Sequence, residues 1–194
     1  WSNAYDSVME NILPIEFLNR IKEEFGEPQA GRLSELLNGT SPTTVRVNPA
    51  KIQDPGAQLD LPIDTEVRME GRSRYGVVLA QRPTFTLDPL FHAGAYYVQE
   101  GSSMAIENRL PLYQEVLRES ADGKCRILDL CAAPGGKSTH LVSMFRDCPG
   151  AMVVSNEVIR SRATILAENM AKWGGANVVV TNNDPADFKP FGSF

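Results

Sequence analysis

The chain is poor in cysteine and histidine and has no surplus of positive charge. Three cysteines, Cys125, Cys131 and Cys148, form an odd set without disulfide or metal spacing, which fits a reducing compartment. His140, alone on an expected helix, reads as an ordinary surface residue and not a proton shuttle, and His92 carries no stronger signal. No stretch approaches the ~20 apolar residues of a membrane span, and no basic-then-apolar segment opens the chain, so a cytoplasmic globular protein without membrane contact is expected. No internal repeat or low-complexity tract is present. With 19 Lys and Arg against 24 Asp and Glu, the basic footprint usual for phosphate binding is missing overall. The deficit is uneven: residues 1–100 hold 9 basic and 14 acidic residues, whereas 101–194 hold 10 of each. Arg68, Arg72, Arg74 and Arg82 face only Glu70 around Tyr75, which offers a local backbone-contacting patch or, equally, a solvated strand pair.

What is present begins with 194 residues, 42% of them hydrophobic, enough for one large or two small domains. Proline in the first turn, Ile15, Leu18, Ile21 and Phe25 on one face, and Gly26 as terminator predict a helix over Pro14–Phe25. A shorter helix is expected over Ala30–Leu37, then a strand over Thr43–Val47, a loop over 50–64, and strands at Thr65–Met69 and Gly76–Ala80. Residues from Gln99 lead into a helix capped by Ser102 or Ser103, which Pro111 ends or kinks before a second segment at Leu112–Arg118.

The most informative run is Asp129 to Ser138. It follows an apolar strand beginning at Cys125 and reads as a tight, glycine-paired turn opening a helix. Glycines let the backbone approach a ligand and present free N–H groups to its anionic end, while Ala132 and Ala133 leave space. A phosphate-binding loop would require a glycine where Cys131 stands, and the full dinucleotide spacing is also lacking. Strands at Ala151–Ser155 and Asn177–Thr181 end in Glu157 and in Asn182, Asn183 and Asp184. Open α/β sheets bind ligands beyond the carboxyl ends of their strands, so the turn, Glu157 and Asp184 should share one crevice for a nucleoside, with S-adenosylmethionine favoured over a pyrophosphate. Gly136–Arg146 and Val158–Trp173 read as the connecting helices, the latter with Ala163, Ile165, Leu166, Met170 and Trp173 as its apolar stripe.

Four blocks carry a family resemblance over residues 12–194: Thr-Val-Arg-Val-Asn-Pro at 44–49 (from Thr44), Tyr-Tyr-Val-Gln-Glu-Gly-Ser-Ser-Met at 96–104, Cys-Ala-Ala-Pro-Gly-Gly-Lys at 131–137, and Ser-Asn-Glu at 155–157. Together they resemble the Fmu/Sun-type RNA 5-methylcytosine methyltransferases, and Asn183 to Phe188 resembles the ribosomal RNA branch. The resemblance implies an incomplete Rossmann-like methyltransferase sheet, its first three strands, at 95–194, preceded by a small RNA-associated α+β domain at 1–94. It further implies S-adenosylmethionine gripped by Cys131, Ala132, Ala133, Pro134, Gly135, Gly136 and Lys137, with Glu157 on the ribose and Asp184 near the adenine. Arg46 and Asn48 would organise the region beside the catalytic domain.

Carbon 5 of cytosine is a poor nucleophile, so such enzymes add a cysteine thiolate to carbon 6 and place an acid near ring nitrogen 3. In the family both groups come from later strands, and none of the three cysteines here matches the nucleophile motif. No catalytic residue is therefore assigned, and the 194-residue chain is expected to bind cofactor weakly and methylate nothing. Its first strand would be an exposed edge, so self-association through that edge, or partial disorder over 185–194, is expected. A P-loop-like nucleotide hydrolase and a non-catalytic RNA-binding or assembly module remain the alternatives.

Overall fold

The computed structural model describes residues 13–67, 69, 73–119 and 124–191. These form two compact units, one ending at Pro42 and one beginning at Thr43. In the first, α1 (Ile15–Phe25) and α2 (Glu27–Asn38) form a helical hairpin around Gly26, whose φ of 86° lets a single residue end one helix and start the next. Pro28 in the first turn of α2 explains why it begins before the expected Ala30. Leu18 and Ala30 are its buried residues, while Ile15 and Phe25 remain largely exposed.

The second unit contains two three-stranded sheets. Strands β1 (Thr43–Val47), β2 (Gly76–Leu79) and β3 (Tyr96–Val98) pair antiparallel in the order β2-β1-β3. Strands β4 (Cys125–Asp129), β5 (Ala151–Asn156) and β6 (Val178–Thr181) pair parallel in the order β4-β5-β6, connected by α6 (Gly136–Met144) and α7 (Arg160–Trp173). This is the half-built, doubly wound arrangement expected, with β4 pairing only to β5 among the described residues. Phe145, Val153, Leu166, Met170 and Trp173 centre its core. Val45, Val47, Leu79, Phe85 and Tyr96 centre the core of the antiparallel sheet.

Period-two alternation places Val45 and Val47 in the antiparallel core and turns Thr44 and Arg46 the other way, yet all four are buried because β1 is covered on both faces. The domain boundary expected between residues 94 and 95 therefore does not mark a gap in packing. Strand β3 begins at Tyr96 but completes the sheet of β1.

Several local expectations need correction. Thr65–Val67 are not a strand: the Asp64 carboxylate accepts from Glu66 N and Val67 N, which bends the chain, and Arg68 lies outside the described residues. The loop at 50–64 contains a short helix, α3 (Pro55–Gln58), capped by Asp54. Residues 101–109 wind as a 3-10 helix, and Glu100, not Ser102 or Ser103, accepts from its free N–H groups. Pro111 sits in the first turn of the next helix, α5 (Leu110–Glu119), where its missing N–H costs nothing. Ile165 points to solvent while Ala163, Leu166, Met170 and Trp173 are buried. Two further helical pieces are α4 (Pro89–His92) and a 3-10 helix over Pro185–Phe191.

Gly94 joins α4 to β3 at φ 68°, and a Cβ there would lie 2.2 Å from the Lys172 carbonyl oxygen. Replacing it with alanine is expected to destabilise the second unit by at least about 2 kcal/mol through backbone strain and clash. Gly31 in α2 has open space around it, so alanine there should stabilise by up to about 1 kcal/mol. Urea unfolding of the two variants checks both signs.

Candidate functional site

The three parallel strands end at one edge, where Asn156 fastens them together. Its amide nitrogen donates to the Leu130 and Asn183 carbonyls at 3.2 and 3.0 Å. Its amide oxygen accepts from Thr181 Oγ1 at 2.9 Å and from Asn183 N at 3.0 Å. The Asn156 carbonyl accepts from Ala132 N at 2.8 Å. One fully buried side chain thus fixes the exits of β4 and β6 against β5.

From Leu130 the chain turns through Cys131 and Ala132, crosses a cis Ala133–Pro134 bond and reaches Gly135 at φ 114°, the residue that caps α6. Gly135 N returns to the Ala132 carbonyl at 2.8 Å, which closes the turn. Among the described residues no side chain caps α6, so its first-turn N–H groups, which no helix pairs internally, have no side-chain acceptor. Ala132, Ala133 and Gly135 are buried, while Cys131, Pro134 and Lys137 are exposed. Ser138 Oγ donates to Asp129 Oδ2 at 2.7 Å across the turn.

Glu157 follows β5 and is 2% exposed. Its Oε1 accepts from Ile159 N at 3.1 Å, but its buried Oε2 accepts no hydrogen bond; Arg162 Nη1 stands 3.5 Å away, close enough to balance charge only. Arg162 Nη2 donates to the Ala133 carbonyl at 2.8 Å, and Asn169 Nδ2 to the Pro134 carbonyl at 2.7 Å. The structure therefore ties Glu157 to the turn through one guanidinium. Asp184 lies beyond β6 in an exposed turn, where its carboxylate accepts from Ala186 N at 2.8 Å. Asn156, Arg162 and Asn169 were not singled out from the sequence; only Asn156, inside the Ser-Asn-Glu block, carried a local signal.

Behind the turn stands Arg46. Its Nε donates to Gln99 Oε1 at 2.7 Å, and its Nη2 to the Gly136 carbonyl at 3.1 Å and Thr139 Oγ1 at 2.5 Å. Its Cζ lies 4.5 Å from the Trp173 ring centroid, a cation–π contact in a desolvated setting. Burial pushes the guanidinium down to about 9, still high enough to keep it charged at neutral pH. Asn48, two residues on, donates to the Gly94 and Trp173 carbonyls at 2.9 and 2.8 Å. The role of this pair as a surface feature is thereby excluded; both are fully buried.

His140 likewise departs from expectation, because it is fully buried. Its Nε2 lies 3.1 Å from Glu107 Oε2, which also accepts from Ser73 Oγ at 2.6 Å, and Arg74 Nε lies 3.0 Å from Glu107 Oε1. Burial lowers the His140 imidazole, a shift the Glu107 hydrogen bond opposes. Burial would raise the Glu107 carboxyl, but hydrogen bonds from His140 and Ser73 hold it below its ordinary range. Of the arginine patch, Arg74 is thus an ion-pair partner that also lies over the Tyr75 ring, and Arg82 lies over Phe85. Arg68, Glu70 and Arg72 fall outside the described residues. Burial raises the Cys125 thiol, which makes it a poor nucleophile.

Comparison with known proteins agrees with this geometry. The family described as the N-terminal domain of 16S rRNA methyltransferase RsmF matches residues 13–101, and the family 16S rRNA methyltransferase RsmB/F matches residues 116–193. A ribosomal RNA small subunit methyltransferase F of Serratia proteamaculans is 36% identical over 92 residues, covering 47% of this chain and 17% of that protein. The chain thus spans about a fifth or less of that relative's length. A methyltransferase homologue from Pyrococcus horikoshii superposes with a TM-score of 0.69 at 24% identity, covering 92% of this chain and 55% of the other. NSun6 from the same organism, solved with SFG, gives a TM-score of 0.66 at 15% identity over 92% of this chain and 67% of its own. At these identities the two structures establish the shared fold alone.

Replacing Arg46 with lysine is expected to destabilise the second unit by about 2–4 kcal/mol, since a single ammonium nitrogen lacks the planar fork that reaches these acceptors from Nε and Nη2 while lying on the indole. Equilibrium urea unfolding measures it. For His140, the folded imidazole lies below its ordinary 6.5, so the unfolded chain binds more protons as pH falls. Stability should be full above 6.5 and decline below it, with Glu107 extending the loss below its ordinary 4.5. Melting temperature against pH in wild type and His140→Asn checks this; the variant should lose the upper part of the slope.

Proposed function

Since the chain belongs to the 16S rRNA methyltransferase RsmB/F family, matching its N-terminal portions, we propose that it is the cofactor-holding part of an S-adenosylmethionine-dependent RNA cytosine-5 methyltransferase acting on ribosomal RNA in the cytoplasm. The observation that carries this reading is the buried Oε2 of Glu157, without a hydrogen bond among the described residues and linked through Arg162 to the turn that opens the uncapped helix α6. A carboxylate oxygen held dry and without a donor is costly unless a ligand supplies one. Ribose hydroxyls are donors at the expected position, and a nucleoside donor with an amino-acid tail also brings a carboxylate to the free N–H groups of α6.

In this reading Cys131, Ala132, Ala133, Pro134, Gly135, Gly136 and Lys137 cup the tail, Glu157 accepts from the ribose, and Asp184 lies toward the adenine. S-adenosylmethionine supplies an electrophilic methyl group on a sulfonium. The chain's own part is positional: Asn156 sets the turn against β5, Arg162 offsets the Glu157 charge, and the alanines leave room for the ligand. The neighbour NSun6 was solved with SFG, an S-adenosylmethionine analogue, which supports the same ligand class. Cys131 in place of a loop glycine argues against the nucleotide hydrolase. The second edge of β4, unpaired among the described residues, further supports pairing with another strand.

Calorimetry should detect binding of S-adenosylmethionine or S-adenosylhomocysteine without magnesium. Glu157→Ala should weaken it at least tenfold, since hydrogen bonds to a charged group contribute about 1.5–3 kcal/mol each. Magnesium-dependent ATP binding, or cofactor binding indifferent to Glu157, would overturn the assignment.

A further inference from the structure

Against the back of the cofactor turn lies a second cavity of about 190 Å³ that the assignment above leaves unused. Phe91, Tyr97 and Trp173 line it, and Asn169 and Lys172 add an amide and an ammonium. Trp173 is buried in the core, whereas Phe91 and Tyr97 are only partly buried and Lys172 is exposed. The cavity falls below the ~300–1,000 Å³ of sites that enclose a drug-sized ligand, so its guest is about one ring system.

Every nucleobase offers a π-face to an aromatic wall, and a phosphate attached to that base finds a cation one group away. An isolated apolar side chain would fill the ring space but leave Lys172 without a counterpart. A second ammonium stands nearby: Lys51 Nζ donates to the Ala93 and Lys172 carbonyls at 2.6 and 2.5 Å. The acidic surplus does not oppose a polyanion here, because residues 1–42 hold 3 basic and 7 acidic residues while 43–194 hold 16 and 17.

The cavity is also wired to the turn. A Cβ on Gly136 would lie 3.4 Å from Tyr97 Cε1, so the tyrosine ring packs directly on a turn glycine. Asn169, on the cavity wall, holds the Pro134 carbonyl. Two residues of the cavity are therefore also the outer support of the turn.

We propose that this cavity binds one unpaired nucleobase of the RNA strand, its ring against Phe91 and Tyr97 and its flanking phosphate at Lys172. The inference rests on the reading that the chain acts on RNA. Such a contact couples strand binding to the shape of the cofactor turn.

The test is fluorescence anisotropy of the full chain with a labelled single-stranded RNA of about twelve nucleotides, within the range that one stacking platform covers. Lys172→Glu, at an exposed position, should raise Kd five- to tenfold and flatten the salt dependence by about one unit of slope. Phe91→Leu keeps apolar volume while removing the ring, and should raise Kd about fivefold with the salt slope unchanged. Thermal melts confirm that both variants fold. Kd within twofold of wild type for both variants would overturn the proposal, as would a wild-type chain that binds no RNA. Cofactor calorimetry on the same wild-type sample separates the two readings: cofactor binding with an unaffected RNA affinity rejects the cavity alone, and absence of cofactor binding rejects the turn assignment.

Discussion

The second unit depends on one buried guanidinium. Arg46 is taken fully out of water without a carboxylate partner within hydrogen-bonding distance among the described residues, an arrangement that costs several kcal/mol unless dipoles and a π-face replace its hydration. The replacements come from three separate elements: Gln99 after β3, Gly136 and Thr139 on α6, and Trp173 at the end of α7. None of these groups is satisfied by a chain in which the antiparallel and parallel sheets drift apart. The penalty for burying the charge therefore becomes a constraint on assembly, because only one relative placement of the sheets offers all the acceptors together.

That constraint reaches the glycine turn itself. Gly136, whose carbonyl Arg46 holds, begins the helix whose N–H groups are free, and Thr139 passes the contact on by donating to the Gly135 carbonyl at 2.8 Å. On the other side, Arg162 and Asn169 hold the carbonyls of Ala133 and Pro134. With the Ala132 carbonyl bonded to Gly135 N and the Gly135 carbonyl to Thr139 N, the carbonyls from Ala132 to Gly136 all have partners, whereas no side chain caps the first turn of α6 among the described residues. A turn braced in this way is held in one shape by its surroundings, which is what pre-organisation requires of the site proposed above.

How much of this could be read from the chain depended on whether the signal was local. Strand β1, helix α7 and the turn from Asp129 to Ser138 announce themselves through period-two alternation, a 3.6-residue stripe and paired glycines. Glu157 was legible because strand length fixes where an acidic residue must fall. The partners of Arg46 and His140 were not, since Glu107 lies 33 residues from His140 and Thr139 lies 93 from Arg46, separations that no pattern rule spans. The Glu100 cap was missed for a different reason: serine is the commoner cap, but a carboxylate two residues before Ser102 accepts from two N–H groups at once. Net charge misled as well, because the acidic surplus belongs almost wholly to the residues before β1.

Helix α6 shows why such a segment resists sequence reading. Every residue from Ser138 to Met144 is buried, although four of the seven are polar, so neither face carries the usual contrast between apolar and solvated positions. Each polar side chain is matched to a different neighbour: Ser138 to Asp129, Thr139 to Arg46, His140 to Glu107, and Ser143 to the indole nitrogen of Trp173 at 3.0 Å. A leucine at any of these positions would pack, but it would strand the partner without a hydrogen bond, the more expensive outcome in a dry interior. The polarity of α6 is thus specified by what surrounds it. The helix that opens at the glycine turn is also the one to which the strand-tip carboxylate, the sheet-bridging arginine and the buried glutamate are all fastened, so distortion at any of these contacts is transmitted to the same turn.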